Sequence, residues 1–105
     1  MGLFLLSACG DSGPTIVDVS LSEWAIEILS DTDIRAGEVT FNVTNNGALE
    51  HNFTIEGIDE AVLDLIYQQE TQSLTVTLEP GTYLLVCTIE GHHDAGMELE
   101  ITVVP

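Results

Sequence analysis

The chain has 105 residues, eighteen acidic side chains and one basic side chain, Arg35, for a formal charge of −17. That length suits a single small domain with one core, and hydrophobic residues at 45% let it fold despite the charge. Phosphate contacts need Lys or Arg, so an ordinary nucleic-acid-binding surface is excluded, and adsorption to anionic lipid is disfavoured for the same reason.

Residues 1–8 are a short apolar run ending in small side chains, as an export signal does. Leu6-Ser7-Ala8-Cys9 resembles the lipobox of bacterial lipoprotein signals, in which the cysteine is lipidated and becomes the mature N-terminus. The match departs upstream, where there is no Lys or Arg and the apolar run is short. Two cysteines in an exported chain also allow a Cys9–Cys87 disulfide. Lipidation is the preferred reading, because Cys9 adjoins a spacer of Gly, Ser and Pro and Cys87 has a better use. No run approaches the ~20 apolar residues of a membrane span. The expectation is therefore an exported protein, attached to the cell membrane by lipid alone and facing the periplasm or cell exterior. Residues 9–14 are its lipidated cysteine and linker, and residues 15–105 its one domain.

From Thr15 onward the chain alternates with period two. Such runs cover residues 15–21, 24–29, 38–44, 51–55, 73–78, 82–87 and 97–103, punctuated by turn signals at Ala36-Gly37, Asn45-Asn46-Gly47, Glu56-Gly57 and Glu79-Pro80-Gly81. Short β-rich runs at this spacing predict an all-β fold, an antiparallel Greek-key sandwich or barrel. One segment resists: Asp59 to Gln69 carries Val62, Leu65 and Ile66 at helical spacing, which predicts a short helix or an irregular crossover.

The chemistry gathers near the C-terminus, where Cys87, His92 and Met97 lie on one segment, with His51 upstream. Two imidazoles, one thiolate and a weak axial thioether are the ligand set of a blue-copper electron-transfer site. Cys87 ends one strand and Met97 begins the last, so the loop between them can fold back with His92 at its tip. His51 begins a different strand and must arrive from the neighbouring edge. Each residue also has a plainer reading: Cys87 and Met97 as core, His51 as a surface residue after a turn, His92-His93 as an incidental pair. The conjunction of four at one end of a sandwich favours one copper ion. His93 points outward by alternation.

On these residues the chain resembles the cupredoxins, the plastocyanin/azurin-type small copper proteins, from about Thr15 to Pro105. Glu50 to Phe53 resembles the segment carrying the first histidine ligand, and Pro80 to Cys87 the tyrosine-bearing approach to the cysteine. The C-x4-H-x4-M spacing over Cys87, His92 and Met97 is similar to that of auracyanin-like and halocyanin-like members. Val39 to Gly47 matches the family's strand and turn before the first histidine. The resemblance implies that His51, Cys87 and His92 are equatorial ligands and Met97 axial, with Asn52 bonded toward Thr88 to tie the ligand segments together. The departure is Glu90, where members often have proline.

Three classes of function compete. The leading one is a mononuclear blue-copper one-electron carrier at the outer face of the membrane; the alternative is a copper-binding or delivery protein without fast electron transfer. An enzyme such as a multicopper oxidase needs several more histidines, so the chain reads as no enzyme. Glu50, Glu90 and Asp94 flank ligand positions and can steer a redox partner with a basic face, a c-type cytochrome or similar, toward a monomeric carrier. They can equally belong to a uniformly acidic coat suited to high salt. Asp18 and Glu23 lie distant in sequence from every ligand.

Overall fold

Along Gly37–Asn45 the odd positions Val39, Phe41, Val43 and Asn45 are buried, while the residues between them are exposed or half-buried. This period-two alternation gives each strand one face for the core. The computed structural model describes residues 13–30, 33–89, 91–92 and 95–105. Cys9, Glu90, His93 and Asp94 lie outside the described residues.

The strands are β1 (Thr15–Ser22), β2 (Ala25–Ile28), β3 (Ile34–Arg35), β4 (Gly37–Asn45), β5 (His51–Ile55), β6 (Val62–Ile66), β7 (Thr71–Leu78), β8 (Gly81–Val86) and β9 (Glu98–Val104). They form one sheet in the order β2-β1-β4-β7 and another in the order β3-β9-β8-β5-β6. The core lies between the sheets. Phe41 from the first and Phe53 from the second, both fully buried, meet with ring centroids 5.6 Å apart. On the outer face of β4, Thr40 bonds Thr75 at 2.9 Å and Thr44 bonds Thr71 at 2.7 Å across to β7, cross-strand pairs that pin the register.

The sandwich agrees with the sequence reading, and within it two pairings are parallel. β1 runs parallel to β4, with Leu21 opposite Asn45, and β3 runs parallel to β9, with Val103 opposite Ile34. A parallel pair needs a long return connection, and residues 23–36 supply it between β1 and β4. The segment from Asp59 to Gln69 holds no helix. Val62–Ile66 is an edge strand on β5, with Ile66 buried and Val62 and Leu65 exposed. The helical spacing there is incidental, and so short a segment makes at best a marginal helix in water, whereas β5 offers it a row of free backbone groups. Among the described residues no helix is long and apolar enough to cross a membrane.

Phe41→Ala should lower stability by about 3–5 kcal/mol, because it opens a void where the sheets meet. Glu38→Ala, on the outward face of the same strand, should change it by about 0.5 kcal/mol or less. Urea denaturation of the two variants checks the difference.

Candidate metal centre

Strand register brings the ligand segments together. β5 and β8 are antiparallel with Thr54 opposite Val86, so continuing the pairing sets Asn52 opposite Thr88 at the end of the sandwich. There Asn52 Nδ2 donates to Thr88 Oγ1 and the Thr88 amide donates to Asn52 Oδ1, both at 2.7 Å. The Asn52 amide points at Cys87 Sγ at 3.5 Å. This reciprocal pair locks the start of β5 to the residue after Cys87, as the resemblance implied.

The loop after Cys87 is closed by its own backbone. The His92 amide donates to Ile89 O at 2.9 Å, the Met97 amide to His92 O at 3.2 Å, and the Cys87 amide to Met97 O at 3.2 Å. Gly91 and Gly96, each preceding a sequence-predicted ligand, have φ of 87° and 105°. That left-handed backbone costs glycine little and other residues more.

His51, Cys87 and His92 are all buried, and their donor atoms lie within 4.8 Å of one another. His51 Nδ1 and His92 Nδ1 are 3.1 Å apart, and Cys87 Sγ is 4.0 Å from the first and 3.5 Å from the second. Cys87 is a free thiol. Met97 is fully buried immediately before β9, in the same core cluster as Cys87. First-row ions sit about 2.0–2.1 Å from imidazole nitrogen and about 2.3 Å from thiolate sulfur, taking zinc as the guide. Donors at these separations can therefore share one ion. Burial, and after it the neighbouring His51, pushes the His92 imidazole below its ordinary range, with Glu23 opposing. The unprotonated ring is the one that binds metal.

Three contributors were not anticipated. Glu23, in the turn between β1 and β2, lies against the site and not far from it as its sequence position implied. Its Oε2 is 2.6 Å from His51 Nε2, its Oε1 accepts from the Ala48 amide at 2.8 Å, and Oε2 also accepts from Leu49 at 3.3 Å. The Ala48 amide first, then His51, holds its carboxyl below the usual range. A carboxylate can only accept, so this contact makes Nε2 the donor and turns Nδ1 toward His92 and Cys87. Trp24 stands edge-on to both imidazoles, 4.9 Å from His92 and 6.4 Å from His51 between centroids. Asn45, fully buried, donates to Leu49 O and Ile66 O and accepts from the Gly47 amide, each at 2.8 Å. It fixes the turn that delivers His51. The signal that would have found Glu23 and Trp24 is parallel pairing: with Leu21 beside Asn45, the residues after Leu21 must lie beside the turn before His51.

Outside the cluster, Ala48, Leu49, Glu50, Leu65, Ile89 and His92 line an open groove, with Leu49 and Leu65 exposed. Of the acidic residues expected at the rim, Glu50 is exposed there, while Glu90 and Asp94 lie outside the described residues.

A sandwich carrying a buried His-Cys-His cluster at one end defines a cupredoxin of the blue-copper class, and the donor set and spacing suit one copper ion. Residues 35–105 match the sulfocyanin (SoxE) domain model, and the chain belongs to that family. The fold is similar to that of auracyanin from Roseiflexus castenholzii, with a TM-score of 0.72 and 22% identity over 89% of this chain and 100% of that one. It is also similar to auracyanin A, a "blue" copper protein from Chloroflexus aurantiacus, with a TM-score of 0.67 and 23% identity over 87% and 99%. A blue copper oxidase from Nitrosomonas europaea shares the fold at a TM-score of 0.69 and 20% identity, over 89% of this chain and 39% of the oxidase. No curated protein matches the chain significantly.

Proposed function

We propose that this protein is a one-electron carrier in which His51 Nδ1, His92 Nδ1 and Cys87 Sγ would hold a single copper ion, with Met97 as a weaker fourth donor. The observation that carries the reading is the buried convergence of those two nitrogens and the sulfur within 4.8 Å, in a chain of the sulfocyanin family. Bound copper supplies a couple between Cu(II) and Cu(I): one electron arrives from a reduced donor and one leaves to an oxidised acceptor, with no bond made or broken in substrate.

The chain's own part is to keep the ligands still. His51 is fixed from behind by Glu23, Cys87 is flanked by the Asn52–Thr88 pair, and His92 is held in a loop closed by hydrogen bonds. A set so fixed moves little between oxidation states, which supports fast transfer. Delivery of copper to another protein calls for ligands that a partner can reach, and full burial of His51, Cys87 and Met97 argues against it. His92 lines the apolar groove, so a partner seated on Leu49 and Leu65 would approach the metal through that ring. We further propose that Glu50 on the rim steers a basic-faced partner such as a c-type cytochrome. We also propose that lipid on Cys9 holds the protein at the outer face of the membrane, a reading supported by Leu6-Ser7-Ala8-Cys9.

Copper-loaded protein should bind one equivalent, show an intense visible band when oxidised and bleach on reduction. Cys87→Ser should abolish the band, and Met97→Leu should keep copper while raising the potential, since the axial ligand tunes the couple. A colourless Cu(II) complex of the wild type defeats the assignment.

Stopped-flow electron exchange with cytochrome c should slow steeply between 0.1 M and 1 M salt, as the Debye length falls from ~10 Å to ~3 Å. Glu50→Lys should reduce the association rate several-fold and Asp18→Lys far less; equal effects would point to a general acidic coat.

In a bacterial host, Cys9→Ser should move the full-length protein from the membrane to the soluble fraction. Unchanged membrane attachment would remove the anchor.

A further inference from the structure

The turn between β1 and β2 is built around one carboxylate. Glu23 receives three hydrogen bonds: from the Ala48 amide, the Leu49 amide and His51 Nε2. Room for it is made at Gly47, which is buried and where a Cβ would fall on the Glu23 carboxylate. The chain thus commits two backbone donors and a glycine to placing a negative charge on the outer nitrogen of His51. A surface carboxylate needs none of these, and none of them is required to close the β1–β2 turn.

We infer that Glu23 is the positioning residue of the copper site: it fixes the His51 tautomer and sets the reduction potential downward. The inference rests on the copper reading above. Two physical effects act together. The carboxylate holds the proton of His51 on Nε2, so Nδ1 faces His92 and Cys87 as a lone pair without a tautomer change on metal binding. It also makes the imidazole a stronger donor, and a fixed negative charge one ring away from the metal favours the doubly charged ion over the singly charged one. Both effects stabilise Cu(II) more than Cu(I). Because the side chain is held at three points and is largely covered, salt screens this interaction far less than it screens the exposed carboxylates.

Glu23→Gln keeps size but removes the charge, and it turns one of the two oxygens into an NH2 group facing donors. Partners of this kind are typically worth about 10–100-fold in metal affinity. The expected result is a Cu(II) affinity reduced at least tenfold relative to Cu(I), which for a one-electron couple raises the potential by about 59 mV per tenfold. The visible band should persist. Glu27→Gln, the same charge change at an exposed position on β2, should leave the potential unchanged. Affinity for Co(II), which does not depend on electron transfer, should fall about tenfold or more in Glu23→Gln alone. A Glu23→Gln protein whose potential and Co(II) affinity equal those of Glu27→Gln would overturn the inference while a blue wild type left the copper site standing. Where Glu23→Gln does not fold, the wild-type apoprotein still decides: nitrogen-15 NMR should find the His51 proton on Nε2, and a proton on Nδ1 instead would overturn the assignment.

Discussion

Two imidazole nitrogens 3.1 Å apart with a thiol sulfur beside them form an uneasy group to bury. Two lone pairs at that distance repel unless a proton or a cation lies between them, and water is largely kept from the site to soften the repulsion. A folded chain keeps such an arrangement only if the surrounding contacts over-determine it. Here they do. The Asn52–Thr88 pair, the bonds that close the loop from Cys87 to Met97, and the Glu23 carboxylate each fix one ligand segment from a different direction. One cation can accept both nitrogens and the sulfur at once, so the ligands need little rearrangement to take it.

The parallel pairing of β1 with β4 decides what surrounds that cluster. Had β1 run antiparallel to β4, Glu23 and Trp24 would have emerged at the far end of the sandwich. Parallel, with Leu21 beside Asn45, the β1–β2 turn lands on the turn that leads into His51. It brings the carboxylate behind one ring and the indole against both. Asn45 ties the turn into His51 to the end of β6 from within, since its side chain satisfies Leu49, Gly47 and Ile66 together. The metal end is therefore held by residues from four separate stretches of chain.

This explains what the sequence revealed and what it hid. The cluster of His51, Cys87 and His92 was legible because thiols and imidazoles are scarce in this chain and two of the three share one loop. Asn52 and Thr88 were legible only through family resemblance, and the antiparallel register of β5 and β8 supplies their physical reason. Glu23 was hidden twice. It is one of eighteen acidic residues, so composition does not single it out, and its role depends on a strand direction that period-two alternation does not encode. The same blindness applies to Val62–Ile66: three apolar residues fit a helix or an edge strand equally well, and only the unpaired edge of β5 chooses between them.

Charge at the site acts at two ranges, and the fold separates them. Glu50 stands exposed at the rim of the groove, where its field reaches an approaching partner through salt water and fades within a Debye length. Glu23 reaches the metal through a single ring and a 2.6 Å hydrogen bond, where little solvent intervenes. The first kind of charge can influence how often a partner arrives, and the second how strongly the electron is held once the partner is seated. The groove that Glu50 and His92 line also presents the exposed Leu49 and Leu65, over which a desolvated contact with the His92 ring can form. An acidic coat alone would leave all three properties coupled to ionic strength. Holding one largely covered carboxylate against the back of His51 would leave the potential less sensitive to salt than the encounter is.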